Sequence, residues 1–340
     1  MKILQIGSGG WGKSWLEYIN NNEGSELVGL ISRGGENLEK AKEKYKLKDS
    51  QIFNDPVKGL KENADLVIIT IPHPWHIEYA KMAVKAGKNV LIEKPLSNDF
   101  KKTKNFIDYL KERDEKVWVS QNFRFRRNLW KLKASLGEEG IGQIKWMDVL
   151  FRFGNTREKF AQDNAWQKTS WRSQQFSLLI QEIAIHHFDI MRFLLDSNAK
   201  RISCKGFNPY WNDLNGIECM FAGIEFNNDV YVNYSGSLKA IGLSTGWMGN
   251  YTVQTDKGAV QISESDIKLE LGINEKGNLK EEIFFPGEDR EGVLNELQKG
   301  ISDKECAVPT IYDNIYSYAM VYAAELSIKE NRPVEFNELF

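Results

Sequence analysis

Residues 1–15 read MKILQIGSGGWGKSW, and the reading of this stretch decides the fold. Lys2–Gly7 is a short apolar run that breaks at glycine, the pattern of a buried strand. Gly7-Ser8-Gly9-Gly10-Trp11-Gly12 fits G-x-G-x-x-G directly after that strand and at the opening of a helical stretch near Trp11–Asn21. In that context glycines serve a tight turn, close backbone approach to a pyrophosphate and close packing of helix on sheet. Amides exposed at the helix start then bind the phosphates. A glycine-rich turn without a ligand has the same pattern, but strand, turn, helix and position all agree here. Dinucleotide binding is the expectation.

Working outward, strand candidates at Glu26–Ser32, Ala64–Thr70, Asn89–Glu93 and Lys116–Asn122 alternate with helical stretches at Glu36–Tyr45, Trp75–Ala86 and Asp99–Arg113. Continuous apolar strands alternating with helices predict a doubly wound parallel sheet, an α/β Rossmann domain over residues 1–122. After Gly142 the rhythm changes. A strand at Gln143–Phe153 leads into the polar, aromatic-rich residues 154–176, then a helix over Leu178–Leu195. Strands follow at Ile217–Phe226, Asp229–Leu238, Asn250–Gln254 and Ala259–Ser263, with turn signals at 227–229 and 256–258 and a closing helix near Ile311–Glu330. Consecutive hairpins predict a second domain over 123–340, α+β in class, with an open, largely antiparallel sheet.

Three strand ends carry candidate cofactor residues. The second strand ends at Ser32-Arg33, where an acidic residue would hold the ribose of NAD. Serine and arginine there suit a 2′-phosphate, so NADP is favoured over NAD. Pro72-His73-Pro74-Trp75-His76 and Glu93-Lys94-Pro95 follow two further strands, on the side of an open sheet where ligands bind. His73 and His76 have an alternative reading as helix caps or packing residues.

Composition excludes several classes. The 340 residues are 41% hydrophobic and 27% charged, with net charge -2 and no basic run, so nucleic acid is not an expected partner. No apolar stretch is long enough to span a bilayer or act as a signal peptide. The cysteines, Cys204, Cys219 and Cys306, lie far apart without metal-ligand spacing, which suits a reducing cytoplasm.

Four segments in this order, GSGGWG (7–12), TIPHPWH (70–76), AGKNVLIEKPLS (86–97) and IHHFDIMRFLL (185–195), resemble the glucose–fructose oxidoreductase/inositol dehydrogenase (Gfo/Idh/MocA) family. The resemblance spans nearly the whole chain, and EKP in its strand-end context is its most specific element. It implies NAD- or NADP-dependent redox chemistry on sugars, polyols and their derivatives, with Lys94 between nicotinamide and substrate. A second family motif, roughly D-x-G-x-H-x-x-D, falls on Glu182-Ile183-Ala184-Ile185-His186-His187-Phe188-Asp189. Glu182 replaces the usual aspartate and Ala184 the usual glycine, while His186 takes the catalytic histidine position and Asp189 the last acidic one. The resemblance also implies dimers or tetramers formed through the C-terminal sheet.

The residues suit that chemistry. Oxidising a secondary alcohol requires proton removal as hydride leaves carbon, and an imidazole accepts and returns protons near neutral pH. Glu182, His186 and Asp189 stand at i, i+4 and i+7, along one face of a helix. Lys94 is suited to hydrogen-bond the reacting oxygen. A buried helix with satisfied polar groups is the alternative. Trp166, Trp171 and Arg172 precede this helix as candidate substrate contacts. Glu182, His186 and His187 offer a metal reading, but adjacent histidines diverge on a helix and no third strong ligand spacing appears, so no metal is expected. A redox-neutral glycosidase-like enzyme with bound NAD and a non-catalytic cofactor or sugar sensor are the competing functions. Alternating residues such as Val230–Tyr234 leave an open sheet face, predicting a homodimer or homotetramer.

Overall fold

All four residues of Leu66–Ile69 are buried, which requires cover on both faces of the sheet that contains them. The computed structural model describes residues 1–155, 172, 175–212, 214–302 and 304–340. The chain begins β1 (Lys2–Ile6), α1 (Gly10–Asn21), β2 (Glu26–Ile31), α2 (Glu36–Tyr45), β3 (Ile52–Phe53), α3 (Pro56–Gly59), β4 (Leu66–Ile69), α4 (His76–Lys85), β5 (Asn89–Glu93), α5 (Phe100–Leu110) and β6 (Val117–Ser120). These six strands pair in parallel in the order β3-β2-β1-β4-β5-β6. The strand order reverses between β1 and β4, the switch point at which such sheets bind dinucleotides. Helix α1 turns Gly12, Trp15, Leu16 and Ile19 inward at helical spacing. Helix α5 starts at Asp99, whose carboxylate accepts the Lys102 amide at 2.9 Å.

The chain continues with α6 (Arg127–Ser135), β7 (Ile144–Asn155), a π turn over Leu179–Ala184, α7 (Ile185–Leu195), β8 (Ala199–Phe207), β9 (Cys219–Phe226), β10 (Tyr231–Ile241), β11 (Asn250–Thr255), β12 (Gly258–Ile262), β13 (Ile267–Leu271), α8 (Asp289–Ile301), α9 (Ile311–Glu330) and β14 (Val334–Glu335). The second sheet has the order β13-β12-β11-β7-β10-β9-β8-β14. It is mostly antiparallel, as expected, but β7 and β10 pair in parallel at its centre, a pairing that hairpin reasoning does not supply. The predicted helix over 178–195 is also not α throughout: its first turn is π.

Two compact units result. Residues 1–125 and 286–315 gather around the parallel sheet, and residues 126–285 and 316–340 around the mixed sheet. Both sheets match the α/β and α+β classes read from the sequence. Along β9 and β10 buried and exposed residues alternate, so one face is covered. Trp146, Leu150, Phe221 and Tyr231 are exposed, and Leu150 and Phe221 line a concavity of about 1000 Å³ in this unit.

Candidate active site

In the first unit the turn after β1 is built for close backbone approach. Gly7 has φ +110°, a conformation that favours glycine. A Cβ on Gly12 would lie 2.3 Å from the Gly7 carbonyl oxygen, so glycine alone lets α1 start this close to the strand. Gly9 and Gly10 differ: a Cβ on either meets no atom within 4 Å. Gly9 caps α1 without a side-chain hydrogen bond, so no cap side chain takes the first-turn amides beside that open space. This is the cradle a pyrophosphate requires, and the residues fit a dinucleotide. Buried Gln5 braces the turn, donating from Nε2 to the carbonyls of Gly7 at 2.7 Å and Gly12 at 2.9 Å. Thr70 Oγ1 donates to the Ile6 carbonyl at 3.0 Å.

The end of β2 is tied to this turn. Ser8 and Ser32 hydroxyls lie 2.7 Å apart, while Arg33 is exposed beside Gly34 and Gly35, at φ +93° and +97°. Beyond β4, Pro72 precedes a 3-10 turn at His73–Trp75, and His73 is buried. His76 is buried too, and its ring nitrogens lie 2.9 Å from the Pro95 carbonyl and 2.7 Å from the Ile71 carbonyl. Carbonyls only accept and a neutral imidazole carries one N–H, so either tautomer donates to one of the two and packs the ring between the loops after β4 and β5, which suits the packing alternative better than a cofactor contact.

At the end of β5, Glu93 is buried and its carboxylate accepts the Trp15 indole N–H at 2.7 Å and the Lys94 amide at 3.1 Å. Lys94 is also buried, with Nζ 5.9 Å from the centre of the Trp11 ring. The first unit therefore gathers the glycine turn, Trp11, Glu93 and Lys94.

In the second unit the predicted helix presents its polar groups from inside an apolar element. Ser177 Oγ accepts the Ile180 amide at 3.1 Å. The carboxylate of Glu218, entirely buried, accepts the amides of Leu178 and Leu179 at 3.2 and 3.0 Å. Burial pushes the Glu218 carboxyl up to about 7, against the lowering effect of the two amides and of Lys239. This cap starts the π turn that carries Glu182, and π turns often accompany functional sites.

Glu182, His186, His187 and Asp189 are all buried. Gln175 Nε2 donates to Glu182 Oε1 at 3.3 Å. Burial lowers the pKa of Arg172, and the charge of Glu182 opposes that shift. Trp166 and Trp171 lie outside the described residues. His187 is a structural neighbour rather than a second catalytic group. Its Nε2 lies 2.9 Å from the Trp247 carbonyl and must donate there, so Nδ1 accepts the Tyr234 hydroxyl at 3.0 Å. Burial lowers its pKa to about 4, keeping the ring neutral. Asp189 Oδ1 accepts the Ser317 hydroxyl at 2.7 Å, and Ser317 Oγ in turn accepts Arg192 Nη1 at 2.8 Å. Among the described residues no group of three histidines, cysteines or carboxylates is arranged to hold a metal ion, and no helix is long and apolar enough to cross a membrane.

Sequence reasoning missed Gln5, Thr70, Glu218 and Tyr234. An acid inside the apolar run of residues 217–222 was the available sign of Glu218.

Comparisons with known proteins agree with this geometry. Residues 1–121 match the model described as the oxidoreductase family, NAD-binding Rossmann fold, and residues 133–336 match that family's C-terminal alpha/beta domain. An uncharacterized protein, y4oX, of Sinorhizobium fredii is 24% identical over 99% of this chain and 96% of its own. A myo-inositol 2-dehydrogenase of Thermotoga maritima is 22% identical, covering 100% of this chain and 99% of its own. The crystal structure of an oxidoreductase from Agrobacterium radiobacter, in complex with NAD+, L-tartaric acid and magnesium, superposes with a TM-score of 0.82 at 17% identity, over 100% of this chain and 99% of that one. With both family models matched across almost the whole length, the chain belongs to the Gfo/Idh/MocA oxidoreductase family.

Proposed function

We propose that this protein is an NADP-preferring dehydrogenase or reductase that moves hydride between the cofactor and a hydroxyl- or carbonyl-bearing carbon of a sugar, a polyol or a derivative. The observation that carries the reading is the pairing of a glycine cradle with a buried lysine at the next strand end but one, in a chain that also buries His186 on a mostly apolar helix. The bound nicotinamide would supply or accept the hydride. The amides of the α1 first turn and Ser8 would hold its pyrophosphate, and Ser32 with exposed Arg33 would take the 2′-phosphate.

His186 is the general base in the oxidative direction and the acid in the reverse one. Glu182, one turn away in sequence, orients the ring and favours its protonated form. Lys94 donates to the reacting oxygen and stabilises the negative charge developing there. Arg172 and Asp189, with Trp171, contribute to substrate binding. His73 and Pro72 line the cofactor side, and His76 holds their loop. The polyol class follows the relative named as a myo-inositol 2-dehydrogenase.

Copies of the chain pair through the open sheet face, where Trp146, Phe221 and Tyr231 are exposed, giving a homodimer or homotetramer. The three scattered cysteines suit a cytoplasmic location.

The test is a screen of sugars, polyols and keto-sugars with NAD and with NADP, read as dihydronicotinamide absorbance. Turnover of at least one polyol or sugar, faster with the phosphorylated cofactor, is expected. Tight cofactor binding with no net redox change on any member would overturn it.

A further inference from the structure

We infer that Arg290 is a positioning residue of the nicotinamide half of the site, holding the Trp11 ring and the Glu93 carboxylate and, through them, Lys94. The inference deepens the cofactor reading above and rests on it.

Arg290 lies at the start of α8, far along the chain from the glycine turn, yet in the same compact unit. Three contacts fix where that helix begins. The Asp289 amide donates to the Phe125 carbonyl at 2.9 Å, and Asn122 Nδ2 donates to Asp289 Oδ1 at 2.7 Å. A Cβ on Gly292 would come within 2.6 Å of the Phe125 ring, so glycine permits the close docking. The arginine that follows Asp289 is only 6% exposed.

Its guanidinium lies against one stripe of α1. The central carbon is 5.0 Å from the Trp11 ring centre, 5.6 Å from Trp15 and 5.9 Å from Tyr18. Those positions stand at i, i+4 and i+7, so a single planar cation faces three aromatic side chains in a row. Its Nε lies 3.9 Å from Glu93 Oε1, the oxygen that also accepts the Trp15 indole N–H, and its Nη1 lies 3.2 Å from Asp289 Oδ1. A buried cation needs such anionic partners, and a buried carboxylate needs its cation and donors.

A core arginine would need no more than this. Trp11, however, is 47% exposed, although it belongs to the glycine turn and has Lys94 Nζ 5.9 Å from its ring centre. A half-exposed indole next to the proposed catalytic lysine offers a flat apolar surface of the right size for a nicotinamide ring. Arg290 sets the tilt of that surface, and Glu93, an ion-pair neighbour of the same arginine at 3.9 Å, sets the backbone of Lys94 through its amide.

The experiment uses the full chain with NADH and NADPH as probes, so it needs no known substrate. Energy transfer from tryptophan to the bound dihydronicotinamide is measured in wild type, Trp11→Phe, Arg290→Lys and Arg290→Met, with circular dichroism checking folding. If wild type binds neither nucleotide, the cofactor reading fails and takes this inference with it. If it binds, Trp11→Phe is expected to lose a distinct share of the transfer. Arg290→Met should then lose a comparable share and weaken nucleotide binding about tenfold, with Arg290→Lys intermediate because it keeps the charge but not the plane. A change of transfer at saturating nucleotide is one that a purely structural role would not produce. Unchanged transfer in Trp11→Phe overturns the inference. So does a folded Arg290→Met that matches wild type in affinity and transfer. If Arg290→Met does not fold, Arg290→Lys decides: wild-type affinity and transfer overturn the inference, and a loss of about threefold in affinity with altered transfer supports it.

Discussion

The turn after β1 and the start of the helix at 178–195 both present polar groups from within apolar units, and they do so by opposite means. The first uses backbone. Glycines at positions 7 and 12 let strand and helix approach, and the first-turn amides of α1 would do the proposed binding. The second uses buried side chains held by distant partners: Glu218 at the helix start, Tyr234 on His187, Ser317 on Asp189. Backbone sites are written in local spacing. Side-chain sites of this kind are written in contacts between residues about 40 to 130 positions apart, and they carry the electrostatic cost of burial.

The largest expected effect sets the proposed chemistry against mere packing. Lys94→Ala and His186→Ala should each lower turnover on the true substrate by about 10²–10⁴-fold, the range for loss of a proton-transfer or oxyanion group. Nucleotide binding, titrated by dihydronicotinamide fluorescence, should survive in His186→Ala. Wild-type turnover in both variants would leave the polar helix as structure alone.

Legibility follows the same division. The order of β1, α1 and β2, the motif of residues 7–12 and the strand ends at Glu93-Lys94 were readable because period, turn chemistry and motif spacing are all local. The polar helix was found, but as a uniform α-helix. Its π turn left no local mark in the sequence, and Glu218, which accepts the amides at its start, lies about 40 residues away. The central β7–β10 parallel pair was likewise hidden, since register between strands separated by a helix and two strands leaves no mark on either strand. The return of residues 286–315 to the first unit gave no compositional signal, and with it Arg290 escaped notice.

The next effect tests whether the side-chain region carries the cost of its burial. Glu218 titrates at about 7 when folded, above its ordinary 4.5. The folded state thus binds the extra proton between those values, and stability from this group falls as pH rises through that window. His187 titrates at about 4, below its ordinary 6.5. Here the unfolded state binds the extra proton, and stability rises with pH over nearly the same window. Each displacement corresponds to about 3 kcal/mol, so the two slopes nearly cancel in the native chain. Glu218→Gln should expose the rising slope and His187→Gln the falling one, in chemical denaturation series between acid and neutral pH. Parallel curves for both variants and wild type would refute the assignment.

A smaller effect separates the two kinds of glycine in the backbone region. Gly12→Ala drives a methyl into the Gly7 carbonyl and should cost about 1–3 kcal/mol of stability, read from the denaturation midpoint. Gly9→Ala meets open space, so stability should change by less than about 1 kcal/mol. It should nevertheless weaken nucleotide binding roughly tenfold, because the methyl occupies the space the pyrophosphate needs. Equal stability losses at the two positions would mean that the space beside Gly9 is not a cradle.

The smallest expected effect bears on which nucleotide that cradle receives. Ser32 is buried against Ser8, whereas Arg33 is exposed next to two glycines of positive φ, so the arginine reaches solvent where a ribose phosphate would project. A charge-assisted hydrogen bond at an exposed site contributes about 1–2 kcal/mol. Arg33→Ala should therefore lower the NADPH-to-NADH ratio of kcat/KM by roughly 5- to 30-fold while leaving the NADH value within about twofold. The asymmetry is the informative part. An arginine that only lies along the adenine would cost both nucleotides alike, and an unchanged ratio would return the preference to NAD.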